Sequence, residues 1–264
     1  MPQVERRFLT TVSHYVAGRL RYPPPLITAV ADAVRLERSD RLLDLGCGPG
    51  FLAIAFAPHV AEVVAMDPEP AMLAAAEAAA QGAKGRFSFV LGGSEQLGPE
   101  LGRFALVTMG RSFHWMDRPR TLATLDRMIK PTGGVALFVD RQPDAPENAW
   151  HKAWRATRER FALQEAAPRP ADAKDHASVL RQSAFSNVRR LAERYCRRTS
   201  VDELVARALS TSTTSPAVLG QDQARFEQEI RAAVAPFAEN GAVTELVEAE
   251  ALLATRPPTG QPPR

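Results

Sequence analysis

Three glycines at alternate positions, Gly46, Gly48 and Gly50, follow directly on the apolar run Leu42, Leu43 and Leu45, which has Asp44 set inside it. Glycines placed so let the main chain turn tightly and come close to a ligand that any Cβ would push away. A second apolar run, Val63-Val64-Ala65-Met66, closes on Asp67. An acid about 20 residues beyond the first glycine, at the end of a second strand, suits the two hydroxyls of a ribose. A dinucleotide fold would carry G-x-G-x-x-G, and its last glycine would fall at Phe51. The pattern therefore points to a nucleoside held without a pyrophosphate cradle. Phe51 to Ala57 can start a helix whose first N–H groups lack partners and favour an anionic ligand group.

The elements that must place these residues follow from periodicity. Strands are expected at 41–45, 62–66, 86–91, 104–109 and 133–140, with helices near 51–57, 68–81 and 118–129. This alternation implies a parallel sheet with right-handed crossovers and helices on both faces. Ahead of it, Tyr22-Pro23-Pro24-Pro25 is expected to be extended, and Leu26, Ile27, Val30, Ala31 and Val34 recur at helical spacing. Pro68 and Pro70 fit the first turn of the helix after Asp67, for which Asp67 can also act as N-cap. Pro131-Thr132-Gly133-Gly134 reads as a turn that ends one helix and launches the strand 135–140. From about 144 to 186 the pattern is helical and irregular, around Trp150, Trp154 and Phe161. Alternation returns in 187–197 and 242–254, with helical segments at about 200–210 and 222–238 between them. The proline-rich tail 256–264 has little apolar area to bury and is expected to be disordered.

DLGCGPG at 44–50, followed by VVAMD at 63–67 and Pro68-Glu69-Pro70-Ala71-Met72-Leu73, resembles the opening of the class I S-adenosylmethionine (SAM)-dependent methyltransferases. Phe113-His114-Trp115 resembles the branch that includes the trans-aconitate methyltransferase-like enzymes. The likeness covers residues 12 to 140 well and the remainder loosely. It implies an α/β fold: a doubly wound, mostly parallel, seven-stranded Rossmann-like sheet. The two late strands would complete that sheet, the last one antiparallel, and helical cap elements in the C-terminal half would lie over the cofactor mouth. Residues 1–255 would form a single domain, with a SAM-binding core at about 25–140 and the cap and last two strands at about 141–255.

The resemblance implies SAM as cofactor and assigns roles residue by residue. The loop of Gly46, Cys47, Gly48 and Gly50 reaches the methionyl end, with Cys47 as a small packing residue. Asp44 takes the ammonium directly or through water, and Asp67 takes the ribose diol. Met72 packs near the adenine or, as the alternative, in the core. In the family an acid usually sits at the Gly93 position and reads the adenine amino group. Here Ser94 can still offer its N–H to a ring nitrogen, and Glu95 either stands in for the acid or faces solvent. The fourth strand ends in Met109-Gly110-Arg111-Ser112-Phe113-His114-Trp115, where strand ends line the crevice of an open α/β sheet. Met109 and Gly110 belong to the sulfonium end, and the rings of Phe113 and Trp115 can shelter a cationic methyl donor. His114, whose ordinary pKa lies near neutrality, can accept a proton from a hydroxyl or thiol; the plainer alternative is a backbone hydrogen bond. Arg111 can bind an acidic substrate; Tyr22, with Tyr15 and Arg19, lies in a segment that folds over the cofactor in related methyltransferases, and is a further substrate candidate. Arg19 can meet the cofactor carboxylate. Each arginine reads equally well as a surface residue.

Composition narrows the classes. The chain has 264 residues, 45% hydrophobic and 24% charged, which suits a globular protein with a sizeable core. The formal charge is only +3, and the pairs Arg189-Arg190 and Arg197-Arg198 are short, which argues against nucleic acid. Two cysteines with no C-x-x-C or His/Cys cluster give neither a disulfide framework nor a metal site. No apolar run approaches ~18 residues and nothing resembles a signal peptide, so a cytoplasmic setting without membrane contact is expected. Methyl displacement needs mainly alignment, which can contribute ~7–11 kcal/mol. The expected function is methyl transfer from SAM to a small-molecule acceptor, with O-methylation slightly favoured over N- or C-methylation. The rivals are a methyltransferase for RNA or protein, and a SAM-binding regulator without catalysis.

Overall fold

In the computed structural model, which describes residues 11–162 and 175–258, the apolar run after Asp40 forms strand β1 (Arg41–Leu45). Leu42, Leu43 and Leu45 are buried, as a strand covered on both faces requires. The other strands are β2 (Glu62–Asp67), β3 (Phe87–Leu91), β4 (Phe104–Gly110), β5 (Ile129–Arg141), β6 (Asn187–Ser200) and β7 (Ala242–Thr255). The α-helices are α1 (Val12–Gly18), α2 (Pro24–Ala33), α3 (Phe51–Phe56), α4 (Pro70–Ala80), α5 (Arg118–Met128), α6 (Ala149–Phe161), α7 (His176–Arg181), α8 (Val201–Leu209), α9 (Pro216–Leu219) and α10 (Gln223–Val234).

The strands form one seven-stranded sheet in the order β3-β2-β1-β4-β5-β7-β6. β1 pairs in parallel with β2 and β4, β2 with β3, and β4 with β5. Side-chain contacts between the late strands run in opposite senses: Asn187 to Thr255, Arg190 to Glu250, Arg194 to Glu248 and Arg198 to Thr244. Gly134 lies beside Ala254 and Gln142 bonds Glu245, which gives the same sense for β5 and β7. The last strand is therefore antiparallel to both neighbours. Strand order reverses between β1 and β4, the switch point at which open α/β sheets bind ligands.

The chain divides into two compact units. The sheet unit comprises the described residues among 21–139, 175–193 and 249–258; the helical unit comprises 11–20, 140–162 and 194–248. Within the sheet unit, the two-residue period of the strands sorts side chains by face. Leu43, Leu45, Val107, Met109 and Leu137 pack with Leu122 and Leu125 of α5 and Leu180 of α7. Asp44 and Phe138 lie on the opposite face, against Ala53 and Phe56 of α3. The helical unit has its own core of Trp150, Trp154, Leu204, Leu209, Phe226 and Ile230. Ser200 and Glu203 start α8 with a reciprocal capping box.

Four local expectations change. Helix α2 begins at Pro24, so two of the prolines expected to be extended fill its first turn, where no N–H is needed. Helix α4 begins at Pro70 with Glu69 as N-cap, which leaves Pro68 outside it. Residues 131–134 belong to β5: pairing advances from Phe104 to Leu106 on β4 while it advances from Ile129 to Gly134 on β5, so the surplus is absorbed as an irregularity in the strand. Arg256, at the start of the expected disordered tail, bonds the Asp126 carboxylate and the Lys130 carbonyl; residues 259–264 of that tail lie outside the described residues.

Candidate functional site

The glycine loop is tied to β2 before it reaches any ligand. Gly46 and Cys47 donate their N–H groups to the Met66 carbonyl at 2.8 and 3.0 Å. Gly46 (φ +69°) lies so close to Ser112 that an added Cβ would sit 2.5 Å from the serine Cβ. Gly48 (φ +53°) differs: nothing lies within 4 Å of its Cβ position, so the loop is open at its middle. The Gly48 N–H donates to Asp67 Oδ2 at 2.8 Å, and Asp67 Oδ1 accepts the Glu69 N–H at 2.9 Å. Asp67 is thus a strut for the loop and not the N-cap of α4. Burial raises its pKa, against the two backbone bonds, which lower it.

Asp44 is engaged inward. It is 1% exposed; Oδ2 accepts the Ala53 N–H at 2.9 Å and Oδ1 accepts the Thr108 hydroxyl at 2.9 Å. The N–H expected to await an anionic ligand at the start of α3 is therefore taken by the protein itself. Burial pushes the Asp44 pKa up to about 7; the bonds from Thr108 and Ala53 oppose that rise and the charge of Asp67 adds to it. The Cys47 thiol is buried, and burial holds its pKa well above the usual value, in keeping with packing and not with nucleophilic chemistry.

Five residues after Asp67 in the chain, Met72 is buried on α4. Gly93 donates its N–H to the Gln96 side chain at 2.7 Å, within the turn Ser94–Gln96. The Glu95 carboxylate folds back over Gly93: a Cβ at Gly93 would lie 2.9 Å from Glu95 Oε2. An acid thus occupies the space that a side chain at position 93 would fill.

The exit of β4 brings some expected residues together and removes others. Gly110 faces Leu52 and the Tyr22 hydroxyl, which would lie 2.9 and 3.4 Å from an added Cβ. Tyr22 donates to the Phe138 carbonyl at 3.2 Å, and the Arg111 guanidinium stacks over its ring with the carbon 4.8 Å from the centroid. Arg111 holds a positive φ of 57°, uncommon for a residue with a side chain. Met109 and Phe113 do not present open faces. Both are buried in the core, and Phe113 meets the His176 ring edge-on at 5.3 Å. The aromatic shelter expected of Phe113 is thereby overturned, because the short turn Phe113–Trp115 sends its first ring inward. His114 and Trp115 are exposed, with their rings 4.9 Å apart. Arg19 belongs to the helical unit, where Nε donates to the Ser210 hydroxyl at 2.7 Å and the guanidinium covers the Tyr15 ring.

Residues 42–133 match the family model described as "Methyltransferase domain". A malonyl-[acyl-carrier protein] O-methyltransferase of Enterobacter lignolyticus is 31% identical over 177 residues, covering 63% of this chain and 68% of that protein. The chain belongs to the class I SAM-dependent methyltransferases. An uncharacterized methyltransferase of Mycobacterium bovis is 31% identical over 49% of this chain and 50% of its own length; the chain spans about half the length of the mycobacterial relatives it matches. Among solved structures, a putative type II methyltransferase from Anaeromyxobacter dehalogenans superposes with a TM-score of 0.56 at 17% identity, over 90% of this chain and 97% of that one. A SAM-dependent methyltransferase from Geobacter sulfurreducens gives 0.54 at 15% identity, over 97% and 100%. At such identities these likenesses speak for the fold.

Two residues in this methyltransferase escaped the motif reading. Thr108 pairs in register with Asp44 and donates to it, and a lone hydroxyl in the apolar run of β4 was the available signal. Ser112 donates to the Leu45 carbonyl at 2.8 Å. No sequence signal marks it, because its partner is main chain.

Proposed function

We propose that the chain transfers a methyl group from SAM to a small-molecule acceptor, and that the acceptor is an acid methylated on oxygen. The observation that carries this reading is the open Gly48 crest with Asp67 beneath it. The cradle has room where a Cβ would stand, and each Asp67 oxygen, spending one lone pair on a backbone N–H, keeps another for a ribose hydroxyl. When bound, SAM supplies an activated methyl group on a sulfonium. The chain's part is to hold and orient. Gly46, Cys47, Gly48 and Gly50 let the main chain approach the methionyl end, and Asp67 fixes the ribose. Met72, Ser94 and Glu95 border the adenine, with Glu95 in place of the missing acid.

Arg111, stacked on Tyr22, which lies beside Gly110, would hold the acceptor's carboxylate, with Trp115 at the rim. An acceptor that is already anionic needs no base; His114 would serve as one only for a neutral acceptor. The name of the Enterobacter relative, which specifies O-methylation of a malonyl group on a carrier, supports an acid as acceptor. Placement in the trans-aconitate methyltransferase-like branch rests on Phe113-His114-Trp115 alone. A cytoplasmic setting belongs to the same proposal; no helix among the described residues is long and apolar enough to cross a membrane.

Gly93 gives a non-catalytic SAM-binding role its one supporting observation. Calorimetry with SAM, S-adenosylhomocysteine and NAD, followed by SAM consumption against a panel of carboxylic acids, tests both readings. Heat with the two adenosyl compounds and turnover on an acid are expected. Binding without turnover on any acceptor leaves the regulator, and binding of NAD alone overturns the proposal.

A further inference from the structure

An in-line displacement needs the glycine loop leaving β1 and the turn leaving β4 held in register, and Ser112 touches both. Its hydroxyl donates to the carbonyl of Leu45, the last residue of β1, at 2.8 Å. Its Cβ closes on Gly46, leaving no room for a side chain there. Its own carbonyl accepts the Trp115 N–H at 3.0 Å, so the turn Phe113–Trp115 hangs from the same residue. One residue earlier, the Arg111 N–H donates to the Phe138 carbonyl of β5 at 3.1 Å. The chain leaving β4 is thereby pinned to both of its strand neighbours at consecutive residues. Arg111, with its positive φ, adjoins the Ser112 pin. Such a conformation persists only where the surroundings over-determine it.

We infer that Ser112 is a positioning residue that couples the cofactor loop to the acceptor turn: order imposed on Gly46–Gly50 by a bound nucleoside passes through Ser112 to Arg111 and the turn 113–115. This rests on the cofactor reading given above. A plain strut would hold the two loops together equally with and without ligand; a coupling element makes the second loop respond to ligand bound at the first.

Hydrogen exchange with S-adenosylhomocysteine as probe separates these. In the native chain, saturating probe should slow exchange in both 46–52 and 113–117. Ser112→Ala should keep the protection at 46–52 and lose about threefold to tenfold of it at 113–117, the worth of one hydrogen bond. Ser112→Thr, which keeps the hydroxyl, should restore it. Undiminished protection at 113–117 in Ser112→Ala would overturn the coupling. So would a native response confined to 46–52, which needs no variant to fold. A native chain with no response anywhere would overturn the cofactor reading and the coupling with it, whereas a response at 46–52 alone overturns the coupling only.

Discussion

Asp67 accepts the Gly48 N–H at 2.8 Å, and through that one bond the end of β2 sets the crest of the glycine loop. The same carboxylate is the one proposed to take the ribose. Asp67→Ala therefore removes a loop strut and a ligand contact together, and SAM affinity should fall by about 1–3 kcal/mol. Calorimetry with SAM and S-adenosylhomocysteine measures it. Equal losses for both compounds are expected, since they share the ribose; unchanged affinity removes the assignment.

Gly46 and Gly48 should part company when each is changed to alanine. Both hold positive φ, which costs an alanine roughly 1–2 kcal/mol. At Gly48 that is the whole penalty for folding, because nothing lies within 4 Å of the new methyl. Gly48→Ala should fold with a slightly lowered thermal midpoint and bind SAM poorly, since the methyl fills the open cradle. At Gly46 the methyl would meet Ser112 Cβ at 2.5 Å, so Gly46→Ala should lose more stability than Gly48→Ala. Thermal melts with and without SAM distinguish the two. Full SAM stabilisation of Gly48→Ala would show that the ligand does not approach the crest.

Much of this site is legible without coordinates, and the reason is local. The glycine spacing, the acid inside β1 and the acid closing β2 are short-range signals, and β1, β2 and β4 fall where their apolar runs place them. What the sequence hides is direction. Asp44 reads as a ligand contact, yet strand alternation and the register Asp44 to Thr108 turn it inward onto the start of α3. Phe113 reads as an aromatic wall, yet a single tight turn carries it into the core. The Glu95 carboxylate over Gly93 depends on a backbone fold that no spacing rule specifies. The Arg207–Glu245 pair joins residues far apart in sequence, and only packing brings them together.

That pair is buried in the helical unit. Glu245 is 0% exposed and accepts both terminal nitrogens of Arg207, with further bonds from Thr199 and Gln142. Arg207 also donates to the Gly18 carbonyl at 3.0 Å, which fixes α1 on α8. Glu245→Ala leaves a buried guanidinium uncompensated and should cost about 3–5 kcal/mol. The double change Glu245→Leu with Arg207→Met removes both charges and should cost less than Glu245→Ala alone. Urea denaturation of the two variants decides; a double variant no more stable than the single would show that packing around the pair, and not its charge, matters.

Asp44 should give the protein an unusual pH profile. Its carboxyl titrates near 3.8 when exposed and near 7 in the fold, where burial penalises the charged form. Below about pH 4 it is protonated in both states and the cost is absent. As pH rises the unfolded chain releases this proton first, so the native state binds more protons and stability falls until about pH 7, then levels. Three units correspond to at most about 4 kcal/mol. Asp67, also raised by burial, acts in the same sense but is present in native and variant alike. The native chain should therefore lose stability relative to Asp44→Asn between about pH 4 and 7, as followed by urea denaturation at unit pH steps. Parallel profiles for the two proteins would mean that Asp44 ionises in the fold as it does in water, and that its bonds to Ala53 and Thr108 outweigh its burial.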